Sequence, residues 1–334
     1  MLKTGIESIT PKVVLSPAYW QKPIAKSLTL IEERLREVPV GQHELLTTVS
    51  DRLLSSGGKR VRPSLSLLTA GVFNSIDDRI ISVGAGVEML HTATLVHDDL
   101  IDRSMLRRGE PTLNSDFSID TTVLTGDYLF ARAATLVAEA DNVRVMDLFA
   151  RTLMTILNGE INQRFTKWHI DRQVYANRIY AKTAAMFVLA TQAASVLGSA
   201  DTAEEKAMIE FGRNIGIAFQ IVDDVLDFTG DQERIGKPVG NDLRQGIITL
   251  PVIQYLENHP RHPAAKILNQ EQPLNPAQID ELLTGILDSD AIELSVNEAH
   301  SHVHLAREYL EQFPDTEYRQ ALESIARYIV ERDI

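Results

Sequence analysis

Apolar residues return every third or fourth position over long segments of this chain, and the alternating Val/Ile/Thr runs that announce strands are nearly absent. The spacing predicts helices over about 22–37, 41–56, 60–74, 77–103, 119–139, 141–167, 171–199, 202–231, 248–258, 276–288, 291–313 and 316–332. Clusters of Gly, Pro, Ser and Asn separate them, at 55–58, 108–111 and 236–241. Residues 261–276, broken by Pro263, Pro273 and Pro276, read as a surface connection. No heptad, solenoid or collagen period is present. The pattern therefore predicts an all-α protein: one large helical bundle over 1–334, with its core from about residue 22 onward, a short N-terminal arm over 1–21 and a central cavity between facing helices.

Two of these helices carry acids where apolar residues are expected. Asp98, Asp99 and Asp102 end the run VEMLHTATLVHDDLID, and Asp223, Asp224 and Asp227 end IGIAFQIVDDVLD. Offsets of i, i+1 and i+4 keep three carboxylates within about 100° of one another on a helix. Two such charges about 4 Å apart repel by roughly 4 kcal/mol at an effective dielectric of 20, so a cation belongs beside them. One such triplet suits a solvated face, whereas two with apolar flanks point to a shared buried site. Carboxylates without cysteine or clustered histidine favour Mg²⁺, which bridges acids to substrate phosphates.

Composition narrows the chemistry further. With 44% hydrophobic and 24% charged residues the 334-residue chain is of ordinary globular make-up. The absence of cysteine excludes disulfides, thiolate metal sites and cysteine nucleophiles. A net charge of −13 disfavours nucleic acid and anionic membrane as partners, so an anionic substrate needs local basic clusters. Two stand in the first third, Lys59/Arg60/Arg62 and Arg107/Arg108. The opening segment lacks the layout of a secretory signal, and 184–198 is too short for a membrane span; the expected location is cytoplasmic, with at most transient membrane contact.

The order GGKRVRP (57–63), His91 followed by DDLID (98–102), RRGEP (107–111), Lys182-Thr183, Gln220, DDVLD (223–227) and GKPVGNDL (236–243) closely resembles the trans-prenyl diphosphate synthase family. The likeness runs from about residue 30 to 255, and the first motif is similar to that of the long-chain polyprenyl branch. It implies the isoprenoid synthase type of bundle and a prenyltransferase that condenses isopentenyl diphosphate onto an allylic diphosphate by ionisation, condensation and elimination. All six aspartates would serve catalysis with three Mg²⁺ per site, held through Asp98, Asp102 and Asp223. Arg107, Lys182 and Lys237 would contact the allylic diphosphate, with Thr183 and Gln220 as neutral partners. Lys59, Arg62, His91 and Arg108 would bind isopentenyl diphosphate without metal. Arg60 and His97 are read as structural or solvated. Family members often have lysine where Ile247 stands, five residues after Asp242, which weakens Asp242 as a ligand.

The resemblance also implies a homodimer paired near 119–167, and a hydrocarbon tunnel running down the first acidic helix. Since one helical turn rises 5.4 Å, about one isoprene unit, the small Ala93 and Thr94 leave the tunnel open at the level where short-chain relatives carry an aromatic residue. Met89 and, on a neighbouring helix, Phe149 stand as deeper chain-length residues, giving an expected product of roughly C30 to C50. The competing readings are a shorter-chain synthase (C15 to C20), a subunit of a heteromeric long-chain synthase, a non-catalytic partner, and a class I terpene cyclase, against which the second DDVLD and the GGKRVRP segment count.

Overall fold

The structure is a computed structural model that describes residues 17–37, 43–55, 58–107, 109–230 and 239–331. Its helices are α1 (Pro17–Gln21), α2 (Ala25–Arg36), α3 (Glu44–Ser55), α4 (Val61–Val72), α5 (Asp78–Ile101), α6 (Leu113–Asp116), α7 (Ile119–Ala138), α8 (Val143–Phe165), α9 (Arg172–Ile179), α10 (Ala185–Leu197), α11 (Thr202–Thr229), α12 (Asn241–Arg244), α13 (Leu250–Asn258), α14 (Pro263–Leu268), α15 (Pro276–Leu287), α16 (Ala291–Leu310) and α17 (Glu317–Glu331). A 3-10 turn (Lys22–Ile24) joins α1 to α2, and a π-helical turn (Tyr180–Ala184) joins α9 to α10. Among the described residues the one sheet is a two-residue antiparallel hairpin, β1 (Leu106–Arg107) with β2 (Glu110–Pro111).

Helix α5 forms the middle of the bundle because it is apolar on every side, with Val83, Val87, Leu90, Ala93 and Val96 all buried. It packs against α2, α4, α7 and α10. The Asp77 side chain starts it, accepting from the amides of Arg79 (3.0 Å) and Ile80 (3.2 Å). By length and composition α5 alone among the described helices would cross a membrane, yet 78% of that stretch is buried inside protein. Helix α11 begins at a capping box between Asp201 and Glu204 and packs against α10, α16 and α17. Both acid-bearing helices thus flank α10.

Two expectations change. The arm over 1–21 is shorter than expected, since Trp20 is fully buried with its ring 4.6 Å from that of Tyr328, and α1 packs on α17. An indole buries too much apolar surface to be left in water when a C-terminal helix can cover it. The connection at 261–276 contains α14, whose Ala264, Ala265 and Leu268 are buried. Pro263 opens that helix at a position where its missing N–H costs nothing.

Candidate active site

The last turn of α5 presents the first acidic triplet. Asp98 is half-buried, Asp99 is 7% exposed, and Asp102 lies at the exposed C-cap with its amide donating to the Asp98 carbonyl at 2.8 Å, so helical spacing holds through the third acid. The hairpin then turns back over the helix end, and Arg107 Nε donates to both oxygens of Asp99 at 2.8 and 3.0 Å. Gly109, at φ +83°, makes that return possible. Burial pushes Asp98 up to about 6; Glu160 and Asp102 add to the rise, while Lys182 and Arg107 oppose it.

Helix α11 presents the second triplet. Asp224, 3% exposed, accepts from the Tyr175 hydroxyl at 2.8 Å and from Gln220 Nε2 at 2.9 Å. Burial and the nearby Asp242 push it up to about 7, against the pull of Gln220, Arg178 and Tyr175. The Asp227 carboxylate accepts from the Asp242 amide at 3.1 Å and its carbonyl from the Gly240 amide at 2.9 Å, which folds the chain beyond α11 back over the motif. Asp223 is half-buried. Gln220 also accepts from the Thr183 hydroxyl. This contact depends on close approach of the π turn to α11: a Cβ at Gly216 would stand 2.5 Å from the Ala184 Cα.

Lys182 ties the two triplets together. It stands in the π turn, a feature common at functional sites because the extra residue redirects side chains. Its ammonium is 3.8 Å from Glu160 on α8. Burial pulls its pKa down, but Glu160, Asp98, Asp242 and Asp102 outweigh burial and raise it. One cation therefore feels both Asp98 and Asp102 of the first triplet and the acid bonded to the second. A small cavity lies there, lined by Gln163, Arg178, Lys182, Gln220, Asp224 and Asp242 among others.

On the α4 side, Arg62 is 9% exposed with its guanidinium 5.1 Å from the Phe187 ring on α10, four residues beyond Thr183. Lys59 is exposed, its ammonium 4.8 Å from the Tyr328 ring. His91 is half-buried on α5, two turns before Asp98. Arg60 pairs with Glu32 and Glu88, and His97 Nε2 lies 3.2 Å from the Val123 carbonyl, so both have partners within the protein. Ala93, Thr94 and Met89 are buried along α5; Phe149 is buried on α8, which packs on α7 and α10. Arg108 and Lys237 lie outside the described residues. Sequence reasoning missed Glu160, Gln163, Tyr175 and Arg178, which occupy ordinary helical positions without a local motif.

The polyprenyl synthetase family model matches residues 43–286. The chain belongs to this family. It is a prenyltransferase, and its bundle is that of the isoprenoid synthases. The synthase is 36% identical over 313 residues to heptaprenyl diphosphate synthase component 2 of Geobacillus stearothermophilus, covering 93% of this chain and 97% of that one. Its fold is similar to the crystal structure of a decaprenyl diphosphate synthase from Rhodobacter capsulatus, with a TM-score of 0.85 and 32% identity over 95% of this chain and 99% of the other. A polyprenyl synthase from Caulobacter crescentus CB15, solved in complex with calcium and isoprenyl diphosphate, gives a TM-score of 0.85 at 31% identity, covering 97% of this chain and 100% of that one.

The donor set of the synthase suits a hard divalent cation. Every acid in the two triplets offers oxygen, and Asp98 and Asp224 are raised by burial beside other acids, a charge arrangement that a cation relieves. Among the described residues no three acids or histidines already close into a metal shell.

Proposed function

We propose that this synthase condenses isopentenyl diphosphate stepwise onto an allylic diphosphate, releasing an all-trans product of roughly C30 to C50, with the residues below in the roles given. The observation that carries the reading is Lys182, which feels the charges of Asp98 and Asp102 in the first acidic segment and lines one small cavity with Asp224 of the second.

Lys182 and Arg107, with Lys237, bind the allylic diphosphate, and Thr183 and Gln220 orient it by hydrogen bonds. Asp98, Asp102 and Asp223 would hold Mg²⁺, three ions per site. Bound Mg²⁺ supplies the charge neutralisation that lets the diphosphate leave. The allylic C–O bond breaks, the double bond of isopentenyl diphosphate supplies electrons for the new C–C bond, and a proton passes to the departed diphosphate. The buried face of α5 keeps water from the cation. Lys59, Arg62, His91 and Arg108 hold the second diphosphate away from metal, so it stays attached while the first departs.

The exposed apolar residues of α7 and α8 support a homodimer. The one described helix apolar enough to cross a membrane, α5, is mostly buried within the bundle, which supports at most brief membrane contact at product release. A second reading, one subunit of a heteromeric long-chain synthase, is favoured by the relative named as a component 2. Incubating the purified chain alone with labelled isopentenyl diphosphate, Mg²⁺ and a series of allylic starters separates the two. Chromatography should show long products that Asp98→Ala or Asp224→Ala removes. Inactivity of the chain alone would favour the heteromer, and near-normal turnover by the aspartate variants would reject the site.

A further inference from the structure

The segment between Gly58 and Arg62 has a feature that substrate contact by Lys59 and Arg62 leaves unexplained. Arg60 has left-handed backbone, at φ 47° and ψ 41°, immediately before α4. A non-glycine residue adopts that conformation at a steric cost, which ties made elsewhere by its side chain offset. Here the compensation is ionic. The guanidinium pairs with Glu32 on α2 through Nε and Nη2, the latter at 3.2 Å, and its Nη1 lies 3.1 Å from Glu88 on α5. The Glu88 side chain is 8% exposed, so this ion pair is made largely out of reach of water. Gly58 leaves room for the arrangement, since a Cβ there would stand 3.3 Å from Arg60 Nη1.

Glu88 lies three residues before His91 on the same face of α5. Lys59 and Arg62 flank Arg60, one facing Tyr328 of α17 and the other Phe187 of α10. We propose that Arg60 is a positioning residue whose pairs with Glu88 and Glu32 fix the Lys59/Arg62 segment against the His91 helix, and thereby set affinity for isopentenyl diphosphate but not for the allylic substrate. The proposal rests on the assignment of Lys59, Arg62 and His91 to that diphosphate. A fork held on two helices orders the segment before ligand arrives, so binding need not order it.

The test uses the full chain. Arg60→Met alone would strand the buried Glu88 carboxylate and endanger folding, so Arg60→Met/Glu88→Gln removes both charges together. Steady-state kinetics with each substrate varied are combined with calorimetric titration of isopentenyl diphosphate into metal-free protein. The expected result is a rise of about tenfold in both KM and Kd for isopentenyl diphosphate, with the allylic KM and kcat within about threefold of the parent. Arg60→Lys, which keeps charge but not the fork, should fall between. Unchanged isopentenyl binding in the double variant, or an equal rise for both substrates, overturns the proposal. Arg62→Ala is the control. If Arg62→Ala weakens isopentenyl binding and the double variant does not, only the positioning role fails; if Arg62→Ala also leaves it unchanged, the site assignment fails with it.

Discussion

At the scale of single residues, the acids of this site are held at odds with stability. Asp224 is buried and raised to about 7, from an ordinary carboxyl value of 3.8. Between those two values the folded protein keeps a proton that the unfolded chain has lost, so stability is full below pH 4 and declines as pH rises towards 7. In metal-free buffer, Asp224→Asn should therefore flatten the fall in Tm between pH 5 and pH 8 and leave the variant at least as stable as the parent at pH 8, while abolishing most turnover. A variant profile as steep as the parent's would show that the burden lies on other groups. Ala93 gives a second residue-scale test. It is fully buried on α5, a little over one turn before Asp98. If the tail grows along α5, Ala93→Phe should block it after the first additions and yield products of about C15 to C20, since one turn matches about one isoprene unit. Unchanged product length on chromatography would reject that tunnel direction.

At the scale of elements, the joint between the π turn and α11 decides whether the second triplet meets its partners. Gly216 lies against Ala184, and a side chain there has to push backbone, not a flexible side chain. Gly216→Ala should cost about 1–3 kcal/mol through overpacking. Separation of the helices would also break the Thr183–Gln220 contact, so the allylic KM should rise beyond what the drop in Tm alone explains. Calorimetry beside kinetics measures both, and a lowered Tm with normal KM would confine the role of Gly216 to packing. The long helices were legible because their periodicity is local: α5, α7 and α11 fall within two residues of the ends read from spacing. The π turn was not, since α9 and α10 share one apolar rhythm and a single added residue leaves no mark in it. Trp20 was missed for a related reason, being buried against Tyr328 of α17, far away in sequence. The site divides the same way. The six aspartates repeat a compact motif, whereas Tyr175 reaches Asp224 across 49 residues and Glu160 reaches Lys182 from another helix.

At the scale of the whole molecule, α8 works on two faces. Its inner face carries Phe149 and Ile156, both buried, and Glu160 beside Lys182; a Cβ at Gly159 would stand 2.5 Å from that of Ala181, so α8 lies directly against the π turn. Its outer face exposes Met154, Leu157, Ile161 and Phe165 at intervals of three and four, and α7 adds Ile119, Val123 and Leu124. Such an apolar stripe on a chain of net charge −13 suits a second copy better than an acidic lipid surface. If two copies pair here, the interface braces the helix that holds Glu160 against Lys182, and assembly and activity become linked. Leu157→Glu/Ile161→Glu places like charges opposite one another across a two-fold contact, so sedimentation should show monomers. Turnover should fall together with dimer content as protein is diluted, although neither substituted residue lines the site. A parent chain that sediments as a monomer, or a variant that stays dimeric, would remove α8 from the interface, and a fully active monomer would show that Glu160 needs no bracing.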